Sequence, residues 1–353
     1  MLRHNLLLFF RNFKRNKSSF IINLLGLSTG LACTLLIYLW VNDELSVDKF
    51  HENDSRLYLV MKKMKEPNGI DIGEYTTGGL AQVLAAEMPE LENASATIPY
   101  WFENKGILTA GNTRIKASET YVDRQFFNIF SFPFVEGDKQ NQLSAKNQVA
   151  ISDELAIKIF GTTANCIGKV VNWEQGDFGG PYVISGVFKK LPAHSTVQFD
   201  LAFSYDRFME KYPSWMQWGN SSSKTYLLLK EGIDPAKFNK KIAGFLQTKQ
   251  KELTHTLFLK KYSDQYLYGK YENGAQAGGR ISYVRLFSII AIFILVIACI
   301  NFMNLSTAKA TGRLKEVGIK KVVGARRRTL VIQYLSESLL MTFISLVAAI
   351  VLV

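Results

Sequence analysis

Three long stretches without charge dominate the hydrophobic pattern of the chain. Residues Ser18 to Asn42 carry no charge, and Phe20–Val41 are mostly Leu, Ile, Gly and Thr. Twenty-two residues at helical rise reach about 33 Å, enough to cross a hydrocarbon core of about 30 Å. Leu286–Leu305 is a second such run, and Leu330–Val353 is a third, broken only by Glu337. The pattern predicts transmembrane helices at 20–41, 285–305 and 330–353. Three runs of this length argue against the buried core helices of a soluble protein. The first is too long for a secretory signal and no small-x-small cleavage site follows it, so it reads as a retained anchor. Ahead of it, Leu2, Leu6, Phe9 and Phe13 recur at helical spacing with Arg3, Asn5, Arg11 and Asn12 elsewhere on the wheel. Residues 2–13 therefore predict a short amphipathic helix in the headgroup layer, within a cytoplasmic segment 1–19.

Residues 42–284 alternate in a different way, with short apolar runs between polar turns. The entry segment up to Val60 has no Gly or Pro, and Leu45, Phe50 and Leu57 suit one side of a helix. It predicts a continuation of the first span that ends near Asn53. Strands are expected at 57–61, 96–101, 106–110, 113–117, 170–173, 182–188, 199–204, 225–229 and 256–259. Helices are expected at 80–88, at 126–130, at 152–160 behind the cap Ser152, and at 234–250 with Pro235 in its first turn. The outline is strand–helix at the start and strand–helix–strand at the end, around a β-rich middle. The fold class expected is an α-helical membrane protein with an α+β extracytoplasmic domain, a strand–helix–strand module with an inserted β-rich subdomain.

Charge orients this layout. Residues 1–19 carry Arg3, Arg11, Lys14, Arg15 and Lys17 and no acid. Residues 306–329 carry eight Lys and Arg against one acid, Glu316. Those two segments account for the formal net charge of +12, and the large intervening region is neutral. Basic residues in short loops mark the cytoplasmic side. The N-terminus and 306–329 are therefore expected inside, and 42–284 outside, in the periplasm of a bacterial inner membrane. A neutral soluble region also argues against nucleic acid as a partner.

Catalytic chemistry does not emerge. His4, His51, His194 and His255 are scattered, with no second ligand at metal spacing. Cys33 and Cys299 fall in spans, and Cys166 alone lies in the outer domain, where it reads as a small buried apolar residue. No Gly-x-Ser-x-Gly or Walker-type loop occurs. The chain is expected to be no enzyme and to hold neither metal nor cofactor, so ATP, if it drives the protein, is bound by another chain.

The most patterned stretch is 313-RLKEVGIKKVVGA-325. If helical, it puts Leu314, Val317 and Lys321 on one face with Val322 and Ala325 beside them, while Ile319 and Val323 widen the apolar stripe. Arg313, Lys315, Glu316 and Lys320 are left for water or a partner. Gly318 and Gly324 weaken the helix but let another backbone come close. A basic connector on anionic headgroups explains the charge, though not this spacing.

Here the sequence resembles the MacB/FtsX-type permeases, a class of ABC transporter membrane subunits. Their cytoplasmic loop reads roughly Arg-x-x-Glu-[Ile/Val]-Gly-[Ile/Val]-x-[Lys/Arg]-x-x-Gly-Ala. This chain supplies Arg313, Glu316, Val317, Gly318, Ile319, Lys321, Gly324 and Ala325 in that register. Gln333, Glu337 and Ser338 look similar to the family's following Gln…Glu-Ser, and so does 301-NFMNLSTA-308 at the end of the second span. The resemblance implies that 306–329 is a coupling loop docked on a separate ATPase, with the first two spans transmitting motion to the outer domain. It implies a homodimer or tandem pseudo-dimer in the bilayer, with a periplasmic or outer-membrane partner. Gly26-x-x-x-Gly30 in the first span would allow close helix packing. Family members have a fourth span and this chain ends in its third, so a partial chain is expected. Export, lipoprotein extraction and control of a cell-wall hydrolase all stay open. The alternative is a membrane-anchored extracytoplasmic ligand sensor, which would continue into a cytoplasmic signalling domain.

Overall fold

The computed structural model describes residues 17–67, 69–99, 102, 105–311 and 314–353. The helix expected at 2–13 and Arg313 lie outside them. Helix α1 (Lys17–Ser46) leads into strands β1 (Leu57–Glu66) and β2 (Gly69–Gly73), helix α2 (Leu80–Glu87) and β3 (Leu91–Thr97). A middle section follows, with β4 (Lys105–Ala110), β5 (Thr113–Val122), α3 (Phe126–Ile129), β6 (Phe134–Glu136) and β7 (Gln148–Ser152). It continues through α4 (Asp153–Phe160), β8 (Val170–Glu174), β9 (Gly180–Phe188), β10 (Leu201–Ser204) and α5 (Tyr205–Lys211). Then come β11 (Lys224–Leu229), α6 (Pro235–Ile242), α7 (Phe245–Lys249), β12 (Thr256–Lys261) and α8 (Tyr262–Tyr268). A hairpin of β13 (Tyr271–Glu272) and β14 (Ala275–Gln276) precedes α9 (Arg280–Thr311), α10 (Leu314–Val322) and α11 (Arg327–Leu352).

Ser46–Arg280 is one compact unit, the outer domain. Strands β12-β1-β11-β3 form an antiparallel sheet, with β2 added on β1. Helix α2 packs on β3 and β11, and α6 and α7 on β12, the arrangement of a split β-α-β unit. The strands between β3 and β11 in sequence do something else. β10 pairs antiparallel with β7 and parallel with β5, which closes β10-β7-β9-β8-β4-β5 into a ring. A closed ring leaves no strand edge to aggregate. Inside it Trp173 donates Nε1–H to the buried Glu119 carboxylate at 2.8 Å, and Tyr121 donates to the same oxygen at 3.2 Å.

Strand β1 explains its own sequence. Leu57, Leu59 and Met61 face a phenylalanine-rich core with Phe126, Phe127, Phe130 and Phe132, while Val60 faces the helix-side core with Leu84, Leu227 and Ile242. Both faces are buried, so the strand reads as an unbroken apolar run. Several sequence expectations need correction. The first helix stops at Ser46 rather than near Asn53, because Asp48 takes a left-handed backbone (φ 58°) and is bonded to His194 and Thr196; Leu57 opens β1, as expected. The helix expected over 234–250 is two, α6 and α7, broken at Ala243-Gly244. Strand β3 runs Leu91–Thr97, beginning before the 96 expected and ending ahead of 98 and 99, while 100 and 101 lie outside the described residues.

One ionisable group sets an acid limit on the outer domain. His51 is buried, with Nδ1 accepting from the Ser131 N–H at 3.2 Å and the ring packed against Phe50, Phe130 and Phe132. Burial pushes its pKa down to about 4, Asp54 opposing and Lys139 assisting. The unfolded chain, with an ordinary histidine, takes up the proton first as pH falls through 6.5. Stability present above that pH is therefore lost toward pH 4, by on the order of 3 kcal/mol. Asp123, which burial pushes up to about 6, works in the opposite sense between pH 6 and 4. The expected result is thus a difference: His51→Gln flattens the acid-side loss of thermal stability relative to the parent, and an unchanged slope refutes it.

Candidate coupling site

The remaining unit holds helices α1, α9, α10 and α11, of which α1, α9 and α11 are long and apolar enough to cross a membrane. Several hydroxyls in them bond to their own helix, as Thr29 to the Leu25 carbonyl at 2.6 Å, Thr34 to Gly30 at 2.8 Å and Ser288 to Val284 at 2.7 Å. That leaves them satisfied in lipid. Helices α1 and α9 approach closely at the two glycines. A Cβ on Gly30 would lie 2.6 Å from the Ala298 Cβ, and one on Gly26 would lie 2.9 Å from Asn301 Nδ2. Gly30→Leu is therefore expected to force α1 and α9 apart, at a cost of about 1–3 kcal/mol. Cross-linking of the native Cys33 to a cysteine introduced at residue 294, both of which line the contact, should fall in Gly30→Leu, and undiminished cross-linking would contradict the packing.

Between α9 and α11 stands α10, inside the segment 306–329. Gly324 ends it. With φ +94° it occupies the left-handed region, the Ala325 N–H reaches back to the Lys320 carbonyl at 2.9 Å, and the Gly324 N–H reaches Lys321 at 3.0 Å. This pair of bonds is a Schellman cap, so Gly324 terminates the helix sharply rather than loosening it. Lys320 and Lys321 sit in the last turn, where cations complement the helix dipole. Arg326 is extended and α11 begins one residue later.

The free face of α10 is apolar. Lys315, Gly318, Ile319, Val322 and Val323 line one shallow depression. Ile319 is 66% exposed, Val322 89% and Val323 82%. A Cβ on Gly318 would meet nothing within 4 Å among the described residues, so the glycine opens the middle of this face outward. Of the motif residues, Gly318 and Ile319 lie on the free face. Lys321 is exposed, and Lys321, Gly324 and Ala325 build the cap. Val317 turns half-buried, and Lys320 Nζ lies 3.4 Å from Gln333 Oε1 of α11. Of the expected apolar stripe, Leu314, Ile319, Val322 and Val323 are exposed while Val317 is half-buried, so the open part of the stripe centres on 318, 319, 322 and 323. Lys315 joins this depression although neither the motif nor the expected stripe marks it; 315, 318, 319 and 322 follow i, i+3, i+4, i+7 spacing, which was the available sign.

Comparison with known proteins bears on this segment and on the outer domain. The MacB-like periplasmic core domain family matches residues 20–245, and the FtsX-like permease C-terminal family matches 288–353. The macrolide export ATP-binding/permease protein MacB of Salmonella choleraesuis is 26% identical over 248 residues, 67% of this chain and 35% of the relative. The ABC transporter permease YknZ of Bacillus subtilis is 27% identical over 244 residues, 68% of this chain and 52% of that protein. The chain thus spans between a third and about half of the length of these curated relatives. A domain of a protein described as a permease from Porphyromonas gingivalis matches with TM-score 0.50 at 21% identity, over 60% of this chain and 92% of the domain; at that identity it supports the fold alone.

Proposed function

We propose a mechanical role for this chain, which belongs to the family of ABC transporter permeases with a MacB-like periplasmic core domain and an FtsX-like permease region. In this reading α10 docks on a separate ATPase subunit at the cytoplasmic side of a bacterial inner membrane. ATP is bound and hydrolysed there, and α1 and α9 carry the resulting motion to the outer domain. The outer domain works as a strand–helix–strand base with the β-rich section as an insertion, and the chain acts in a homodimer or tandem pseudo-dimer. The observation that supports this best is the free apolar face of α10, with Gly318 at its centre and a rigid cap behind it. An apolar face at the end of a basic loop is poorly suited to water and well suited to a protein groove. Export, lipoprotein extraction and cell-wall hydrolase control are equal outcomes of such motion.

The test is co-purification. The complete gene product is co-expressed with its candidate ATPase, and Glu316→Lys is compared with the parent. Loss of the ATPase from the complex supports docking through this segment. Retention with unchanged ATP turnover removes it.

A further inference from the structure

The outer domain holds a cleft of about 180 Å³ that the coupling role leaves unused. Leu59 and Tyr226 of the sheet form one wall, and Tyr262 and Gln265 of α8 another. Among the described residues its charged lining is Asp48, Glu74 and Lys224. Lys224 Nζ is 2.9 Å from Glu74 Oε1, and Gln265 donates from Nε2 to Glu74 Oε2 at 3.2 Å. The second bond orients the amide and leaves Gln265 Oε1 buried, with no hydrogen-bond partner among the described residues. A buried acceptor without a donor is a standing cost.

The requirements of the cleft converge on one chemistry. Gln265 Oε1 needs a donor. Two carboxylates face one ammonium, and that ammonium is already engaged by Glu74, so an anion would meet an excess of negative charge. Tyr226 and Tyr262 line the cleft with ring centroids 5.7 Å apart, and an aromatic lining suits a cation better than an anion. The volume is below the roughly 300–1,000 Å³ of pockets for drug-sized molecules, so the ligand is small. We propose that this cleft binds a small primary ammonium compound, its –NH3+ group placed between Gln265 Oε1 and the Glu74 carboxylate. A neutral hydroxyl would satisfy Gln265 but leave the charge unbalanced. Burial raises the pKa of the Asp48 carboxyl, and a cation in the cleft would hold that group ionised.

The inference goes beyond the role of α10 and does not depend on it. The full chain in neutral-lipid nanodiscs is titrated calorimetrically with n-butylammonium, and with n-butanol and butyrate as matched head-group controls. The expected result is n-butylammonium binding at least tenfold tighter than either control, weakened at least tenfold by Gln265→Leu. Glu74→Gln is the second variant, expected to weaken binding likewise, and it decides the matter where Gln265→Leu does not fold. No n-butylammonium binding, affinities within twofold across the three compounds, or variants that bind as the parent does overturn the proposal.

Discussion

Replacing Gly318 by tryptophan is expected to detach the ATPase while leaving the chain folded. A Cβ at this position meets nothing within 4 Å among the described residues, so a side chain starts outward without a clash inside the permease. The clash falls on the partner: an indole at the centre of the apolar face of α10 holds a groove away from Ile319 and Val322. Overpacking a close contact costs about 1–3 kcal/mol, and each 1.4 kcal/mol is a factor of about ten in affinity. The affinity for the ATPase should fall about five- to a hundredfold, with Gly318→Ala intermediate. The controls are unchanged expression, membrane insertion and thermal stability. Full retention of the ATPase in the tryptophan variant would show that α10 is not the docking surface.

Asp48→Ala should produce a large loss of stability in the outer domain. Asp48 is 1% exposed and holds the chain just after α1. Its carboxylate accepts from the Thr196 N–H at 2.9 Å and the Thr196 hydroxyl at 2.6 Å, and its own N–H donates to the His194 carbonyl at 3.0 Å. Hydrogen bonds to a charged group contribute about 1.5–3 kcal/mol each. Alanine also fits the left-handed backbone worse than aspartate does. Burial of the carboxylate, which outweighs these bonds in raising its pKa, offsets part of that, leaving a net loss of about 2–4 kcal/mol, or roughly 5–15 °C in the melting temperature of a unit this size. Asp48→Asn keeps an acceptor and tolerates the backbone, so it should lose less than half of that. Equal melting temperatures for Asp48→Ala and the parent would show that the bonds to residues 194–196 do not hold this segment.

Both predictions rest on features that were unequally visible in the sequence. Helix α4 starts where its signals put it: Ser152 is extended, its Oγ accepts from the Leu155 N–H, and Gly161 ends the helix at φ 73°. Such caps depend on three or four neighbouring residues and can be read locally. Strand β7, Gln148–Ser152, escaped notice because it is short and runs straight into that cap, although it sits in the ring between β9 and β10. Helix α8, Tyr262–Tyr268, also escaped; its aromatic-rich sequence has weak helix preference, and burial of Tyr262 and Leu267 holds it in place. Gly324 was visible as a glycine but read as a point of looseness, whereas its backbone makes it a stop.

The sequence by itself determined what depends on near neighbours or on bulk composition. That covers the three apolar helices, the concentration of positive charge in two short segments, the capping residues and the register of the family motif. Tertiary structure decided what depends on partners far along the chain. Strand β10 closes the ring by pairing with β5 some 80 residues earlier, with Leu201 opposite Glu119. The first helix ends at Ser46 because residues 194–196 capture Asp48. The free face of α10 could be identified only once Val317 and Lys320 were seen to turn away from it. Periodicity shows that a helix has an apolar stripe, but which part of the stripe stays uncovered is set by what packs against it.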